Sequence, residues 1–287
     1  MATDINRTTS IALPGEVSSE ILQKTQESSA VMSLAQPIKL PGLGVTIPVI
    51  TGDPEAAWVA ETAKKPVKRG TLDTKIMQPY TLAVIVPFSN QFRRDVPALY
   101  KQLVSRLPLA LAQKFDATVF GGVTAPGDNF DTLKTCTAQE IGTDAYAGLV
   151  AADADIADHN GILNGWVLSP KGKALLLNAV DGNKRPLFIN NVAEGAVPMI
   201  LGSRTLQSKG AYVSGTPNVV GFAGDWTQAM YGTVEGVQIA IADQATLQDG
   251  ETTINLFQQN MFAVRAEIEV GFRCDITVFN KLTKAAG

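Results

Sequence analysis

The chain has 287 residues, 45% of them hydrophobic and 18% charged, with a formal net charge of −3 and a mean hydropathy of +0.09. That composition provides a sizeable core and excludes a disordered chain, and the charge excludes a dedicated nucleic-acid binder, in which clustered Lys and Arg dominate. No apolar run approaches the roughly 18–20 residues that cross a bilayer, and "MATDINRTTSIALPGE" lacks the basic flank and apolar stretch of a secretory signal.

Residues 1–37 are polar, with Val17, Ile21 and Leu22 at helical spacing and Ser18 or Ser19 as caps. They read as an arm with one short helix, closed by Pro37 and Pro41. From Gly42 the period becomes two: "GLGVTIPVI" puts Val45, Ile47 and Val49 on one face, and "YTLAVIVPF" does the same with Leu82, Val84 and Val86. Between these strands lies a polar, basic stretch. Residues 61–75 set Lys64, Lys65, Lys68, Arg69 and Lys75 against Glu61 and Asp73, and Trp58 is almost the only large apolar side chain near the tip. An isolated two-stranded hairpin is marginal in water, so this one needs partners beyond itself.

A long helix follows. Asp95 can cap it, Pro97 suits its first turn, and Leu99, Leu103, Leu107, Leu111 and Phe115 recur at i, i+4 before Gly121-Gly122 stops it. Over about 23 residues it spans roughly 35 Å. Pro108 lies inside, where the ring removes a backbone hydrogen bond at a cost of about 3 kcal/mol, so a bend is expected. Residues 123–240 then mix periods: "TDAYAGLVAADADIADHNG" reads as a helix, "GWVLSP" as a strand, and "PKGKALLLNAVD" as a helix starting near Pro170. "RPLFINN" and "AVPMILGS" look like short strands. Together these form an α/β lobe. The tail alternates again, with Ala263, Arg265, Glu267 and Glu269 on one face and Val264, Ala266, Ile268 and Val270 on the other. Its strands are expected to pair with those near residues 80–90, returning the chain to its first lobe.

The groups that carry catalysis are sparse. The one histidine, His159, sits where a helix runs out at Asn160-Gly161, a pair suited to a left-handed cap. No Gly-x-Ser-x-Gly elbow accompanies it. Asp153, Asp155 and Asp158 fail the calcium-loop spacing, which needs glycine at its sixth position and glutamate at its twelfth. "GGVTAPG" and "GLGVT" fit neither phosphate-binding fingerprint. Cys136 and Cys274 are far apart without metal-ligand spacing, so reduced thiols in a cytosolic folding environment are expected. No catalytic, cofactor-binding or metal-binding residue is assigned, and no enzyme activity is expected.

Several stretches, in this order, resemble the major capsid proteins of tailed bacteriophages, which have the Hong Kong 97-type fold. The most specific is "AAWVAET…TLDTKIMQPYTLAVIVPFSNQFRRD" followed by the helix ending "KFDATVFGG", in which Trp58, Val59, Glu61, Ser89 and Asp95 fit the family's order. "MILGSRTLQSKG", "AGDWTQAMYGTVEGVQI" with Gly224, Asp225 and Trp226, and "NLFQQNMFAVRAEIEVGFRCDITVF" with Arg265 and Arg273 are further matches. The resemblance covers about residues 14–283.

The resemblance implies an α+β fold with an N-terminal arm at 1–41, an extended E-loop hairpin at 42–80, and a P-domain whose first part, 81–122, holds the spine helix. An α/β A-domain at 123–240 and the second part of the P-domain at 241–287 would complete it. It further implies a structural subunit forming the pentamers and hexamers of an icosahedral shell around double-stranded phage DNA, bound without sequence specificity. Localisation would be the virion, after assembly in the host bacterial cytoplasm, with no membrane and no cofactor. Portal, scaffolding and decoration proteins are further implied partners. The hairpin tip would lie over an adjacent subunit, making Trp58, Glu61, Lys64, Lys65, Lys68 and Arg69 candidate inter-subunit contacts, and Pro108 would mark the bend of the spine helix.

The start at Met1 creates the expectation that no scaffold segment precedes the arm. Some family members join a hairpin lysine to a neighbour's asparagine, but no crosslinking residue is carried over. The alternative is an encapsulin-like shell enclosing an enzyme cargo, whose N-terminal helical region "MATDINRTTSIALPGEVSSEI" does not resemble.

Overall fold

The computed structural model describes residues 15–42, 44–52, 71–91, 96–180, 183–188, 199–250 and 252–284. Its helices are α1 (Gly15–Ser28), α2 (Ala30–Leu34), α3 (Val96–Val119), α4 (Ala145–Asp158) and α5 (Pro170–Leu177). The strands begin with β1 (Gln36–Lys39), β2 (Val45–Gly52), β3 (Thr71–Met77), β4 (Tyr80–Ser89), β5 (Thr137–Glu140) and β6 (Gly165–Leu168). They continue with β7 (Met199–Ile200), β8 (Ser203–Gln207), β9 (Asn218–Gly224), β10 (Ala229–Thr233) and β11 (Gln238–Ala242). The last are β12 (Thr246–Asp249), β13 (Thr252–Asn255), β14 (Met261–Cys274) and β15 (Phe279–Lys284).

The leucine stripe builds α3 as its spacing requires. Leu103, Leu107, Leu111 and Phe115 are all buried, and the helix runs through Pro108, itself buried, without interruption. Gly121 ends it at φ +78°, where a side chain would collide with Lys134. Against α3 lies the N-terminal segment, more deeply than an arm would be. Ile21 of α1 is fully buried in one cluster with Leu103, Leu107 and Leu111. α1 starts ahead of Ser18 and Ser19, which therefore do not cap it. Ser29 caps α2 instead, its hydroxyl accepting the Met32 N–H at 3.1 Å.

A five-stranded sheet packs on this helix layer, with β14 at its centre. β4 pairs antiparallel with residues 261–270, as the alternation near residues 80–90 led us to expect. On the other side β11 and β10 lie end to end along β14, and β1 adds parallel to β10. Val264, Ala266 and Ile268 face the leucines of α3, while Arg265 and Glu269 are exposed on the opposite face.

The second lobe is a six-stranded sheet in the order β5-β15-β9-β6-β8-β7. Its membership departs from the expected domain boundaries: β15 does not close the first sheet but sits between β5 and β9, whereas β10 leaves the second lobe for the first. Alternation fixes which face of a strand is buried and is silent on which sheet it joins. The exchange occurs along one antiparallel ribbon. β9 continues through a corner into β10, and β14 through a matching corner into β15. The Asp225 N–H donates to the Val278 carbonyl at 3.1 Å and the Asp275 N–H to that of Gln228 at 3.2 Å. Each corner is one 3-10 turn begun by an aspartate, which accepts both the N–H and the hydroxyl of the threonine two residues on, Thr227 and Thr277. Gly224 is required beside the first corner, because a Cβ there would lie 2.1 Å from the Phe279 ring.

Candidate assembly interface

The hairpin leaves the body on β2 and returns on β3, in antiparallel register from Val45↔Met77 to Gly52↔Thr71. Trp58, Glu61, Lys64, Lys65, Lys68 and Arg69 lie outside the described residues. The base of the hairpin is fastened within its own chain. Arg273 donates from Nε to the Ile76 carbonyl (2.8 Å), from Nη1 to Asp131 Oδ1 (2.8 Å) and from Nη2 to Asn129 Oδ1 (2.7 Å). Lys75 donates to the Cys274 carbonyl at 2.8 Å and lies 3.5 Å from Asp131 Oδ2, which also accepts the Cys274 N–H. Lys75, grouped by charge with the tip, is thus an anchor. The Arg273 and Asp131 side chains are only 11% and 14% exposed, where a charge-assisted hydrogen bond is worth more than at the surface. Below them Met77 is fully buried with Leu40.

A second joint sits deeper. Asp116 on α3 is 1% exposed and accepts hydrogen bonds from the Ser29 hydroxyl (2.5 Å), the Ser208 hydroxyl (2.7 Å), the Ala30 N–H (3.1 Å) and the Val31 N–H (3.4 Å). The two backbone donors belong to the first turn of α2, whose positive dipole end faces the carboxylate. Burial pushes the Asp116 carboxyl above its ordinary value, and the four donors pull the other way. One side chain thereby ties the N-terminal segment, the long helix and the second lobe together. No local pattern in "AQKFDATVF" signals this role, because its partners come from residues 29–31 and 208.

Elsewhere the expected chemistry is structural. His159 forms the C-cap of α4, exposed, with Nδ1 2.7 Å from the Asp155 carbonyl. Asn160 follows at φ +59° and Gly161 donates to the Ile156 carbonyl, the left-handed ending that the sequence indicated. Among the described residues no group of three or more His, Cys, Asp and Glu could hold a metal, and no helix is long and apolar enough to cross a membrane. Cys136 and Cys274 are free and buried, and burial pushes the Cys136 thiol up to about 12 and that of Cys274 well above its ordinary value. Both are protonated at neutral pH.

Comparison with known proteins gives one consistent family. The model of the Phage capsid family matches residues 9–281. The probable major capsid protein gp17 of Mycobacterium phage L5 is 31% identical, over 94% of this chain and 89% of its own length. The major capsid protein of Staphylococcus phage 80alpha is 23% identical, over 95% and 85%. Among solved structures, a chain from Gordonia phage Cozz superimposes with a TM-score of 0.71 at 19% identity, covering 90% of this chain and 87% of that one. A chain from Mycobacterium phage Adephagia gives 0.69 at 20% identity, covering 90% and 91%.

Proposed function

The chain belongs to the phage capsid family, and from that premise we propose that it forms the pentamers and hexamers of an icosahedral head that encloses double-stranded DNA. It is a major capsid protein of the tailed-phage type, with the α+β Hong Kong 97-type fold, and builds the shell from copies of itself. The observation that carries this is the family match across residues 9–281, which takes in both sheets, the long helix and the ribbon joining them. The encapsulin reading is not favoured, since the curated relatives are capsid proteins of phages.

The finer reading follows from the hairpin. Its base is fixed by Arg273, Asp131 and Lys75, so its direction is set by its own subunit. In our proposal the tip residues Trp58, Glu61, Lys64, Lys65, Lys68 and Arg69 find their partners on a neighbouring copy. Single exposed ion pairs contribute about 0–1 kcal/mol, so the basic side chains set register while buried apolar area supplies strength. The role is structural rather than enzymatic. DNA is enclosed without sequence readout, portal, scaffolding and decoration proteins complete the particle, and assembly takes place in the host bacterial cytoplasm. Pro108 presets a bend of α3 that changes as the head expands. Electron microscopy of the expressed protein, with and without its gene neighbours, tests the reading. Closed particles are expected; a monomer under every condition overturns it.

A further inference from the structure

The six-stranded sheet leaves apolar side chains in water at two separate places. β5, β15, β6 and β8 all run in one direction. At the starting end of β6 and β8, on the β7 edge, Ile162, Met199 and Leu201 are 77%, 64% and 44% exposed. The Ser203 hydroxyl, donating to the Leu163 carbonyl at 3.0 Å, holds the two loops side by side. At the finishing end of β5 and β15, on the opposite edge, lies an open groove. Ile141 and Leu175 line it, together with the exposed side chains of Tyr146, Val180 and Leu187. Contiguous exposed apolar surface of this kind marks contact with another protein.

The first patch has an unusual tip. Leu201 and Gly202 form the two-residue turn between β7 and β8, closed by the Ile200↔Ser203 pair, with φ of +48° and +78°. Turns that need positive φ at both central residues take Asn-Gly or Asp-Gly. A leucine there is strained and holds a branched apolar side chain in solvent. A local rule broken in this way points to a function outside the folded chain. Charge agrees with an apolar match: Arg204, opposite Met199 in the ladder, is exposed beside the turn. Among the described residues that line the groove, Asp144 and Lys284 are charged. Glu140 sits beside it at the end of β5, its carboxylate accepting the N–H groups of the lining residues Gly142 and Thr143. Both carboxylates are exposed and fixed by backbone N–H groups.

A knob and a socket at opposite corners of this sheet make a head-to-tail contact between copies, which closes into a ring when successive rotations do. We infer that the Leu201–Gly202 turn of one copy seats in the groove of the next around each ring of subunits, with Arg204 against Glu140 and Asp144. This rests on the reading of the chain as a shell subunit. The apolar insertion supplies the contact's strength and the rim charges fix its register.

The test uses cysteines at exposed positions, the two native thiols being buried. Assembled particles of the double variant Leu201→Cys/Val180→Cys are oxidised, denatured and run on non-reducing gels. A ladder ending at five and six subunits is expected, and dimers alone when the two single variants are co-assembled. Particles that form normally yet run only as monomer overturn the inference and leave the shell reading standing; failure of the unmodified chain to form particles in any condition overturns the shell reading itself. Where the cysteine variant does not assemble, charge reversal decides. Arg204→Glu is expected to lower particle yield about tenfold and Glu140→Lys to restore it (a shift of about 1.4 kcal/mol). An unchanged yield counts against the contact.

Discussion

The Ser29 hydroxyl donates to the Asp116 carboxylate at 2.5 Å, across 87 positions of sequence and inside the core. Ser208 reaches the same carboxylate from the second lobe. The N-terminal segment is therefore held by the fold of its own subunit at Ile21 and again at residues 29–31, and Asp116 is where three parts of the chain meet.

Removing that acceptor strands four buried donors. Asp116→Ala is expected to lower the stability of the unassembled protein by about 3 kcal/mol, since each orphaned buried group costs about 1–3 kcal/mol and some of them relax. Urea denaturation measures it, and a loss below about 1 kcal/mol would show that the joint is dispensable.

The same carboxyl sets a pH dependence. Its folded value lies above its unfolded one because burial disfavours the charge. Its contribution is thus complete below the ordinary carboxylate range and is lost as pH rises through the raised value. Relative to Asp116→Asn, which does not titrate, the native protein should lose stability as pH rises from about 4. A difference between the two that stays constant with pH would refute the sign.

Arg273→Lys keeps the charge but loses the fork that spans Ile76, Asn129 and Asp131. A loss of about 1–2 kcal/mol is expected. Amide exchange in β3 should accelerate while that in β6 is unaffected. Uniform acceleration in both would place the effect in global unfolding rather than at the hairpin base.

Reversing Lys64, Lys65, Lys68 and Arg69 to glutamate tests the tip. The stability of the unassembled chain should be unchanged within about 0.5 kcal/mol, as for surface substitutions, while particle yield falls. Equal yields at low and high salt would remove these side chains from the contact.

The relation between sequence and structure differs from element to element. The i, i+4 leucines of α3, its stop at Gly121, the Pro170 start of α5 and the inward row of Val264, Ala266 and Ile268 were legible, because each is written in a few neighbouring residues and one period. The seat of β15 was not. Its residues are buried as a central strand demands, but the partners that make it central, β5 and β9, are remote in the chain. Charge counting placed Lys75 with the tip, and only the tertiary approach of the hairpin base to the end of β14 brought its ammonium to the Cys274 carbonyl.

By itself, the sequence determined the type of each main element, the face it buries, and the order of motifs that marks the family, since backbone propensity and hydrophobic period act over a single turn or strand. The tertiary structure alone decided which sheet each strand joins, what satisfies Asp116, and how the hairpin base is held. Those outcomes depend on which distant donors, acceptors and apolar faces come together, and loop closure allows many pairings that local pattern cannot rank.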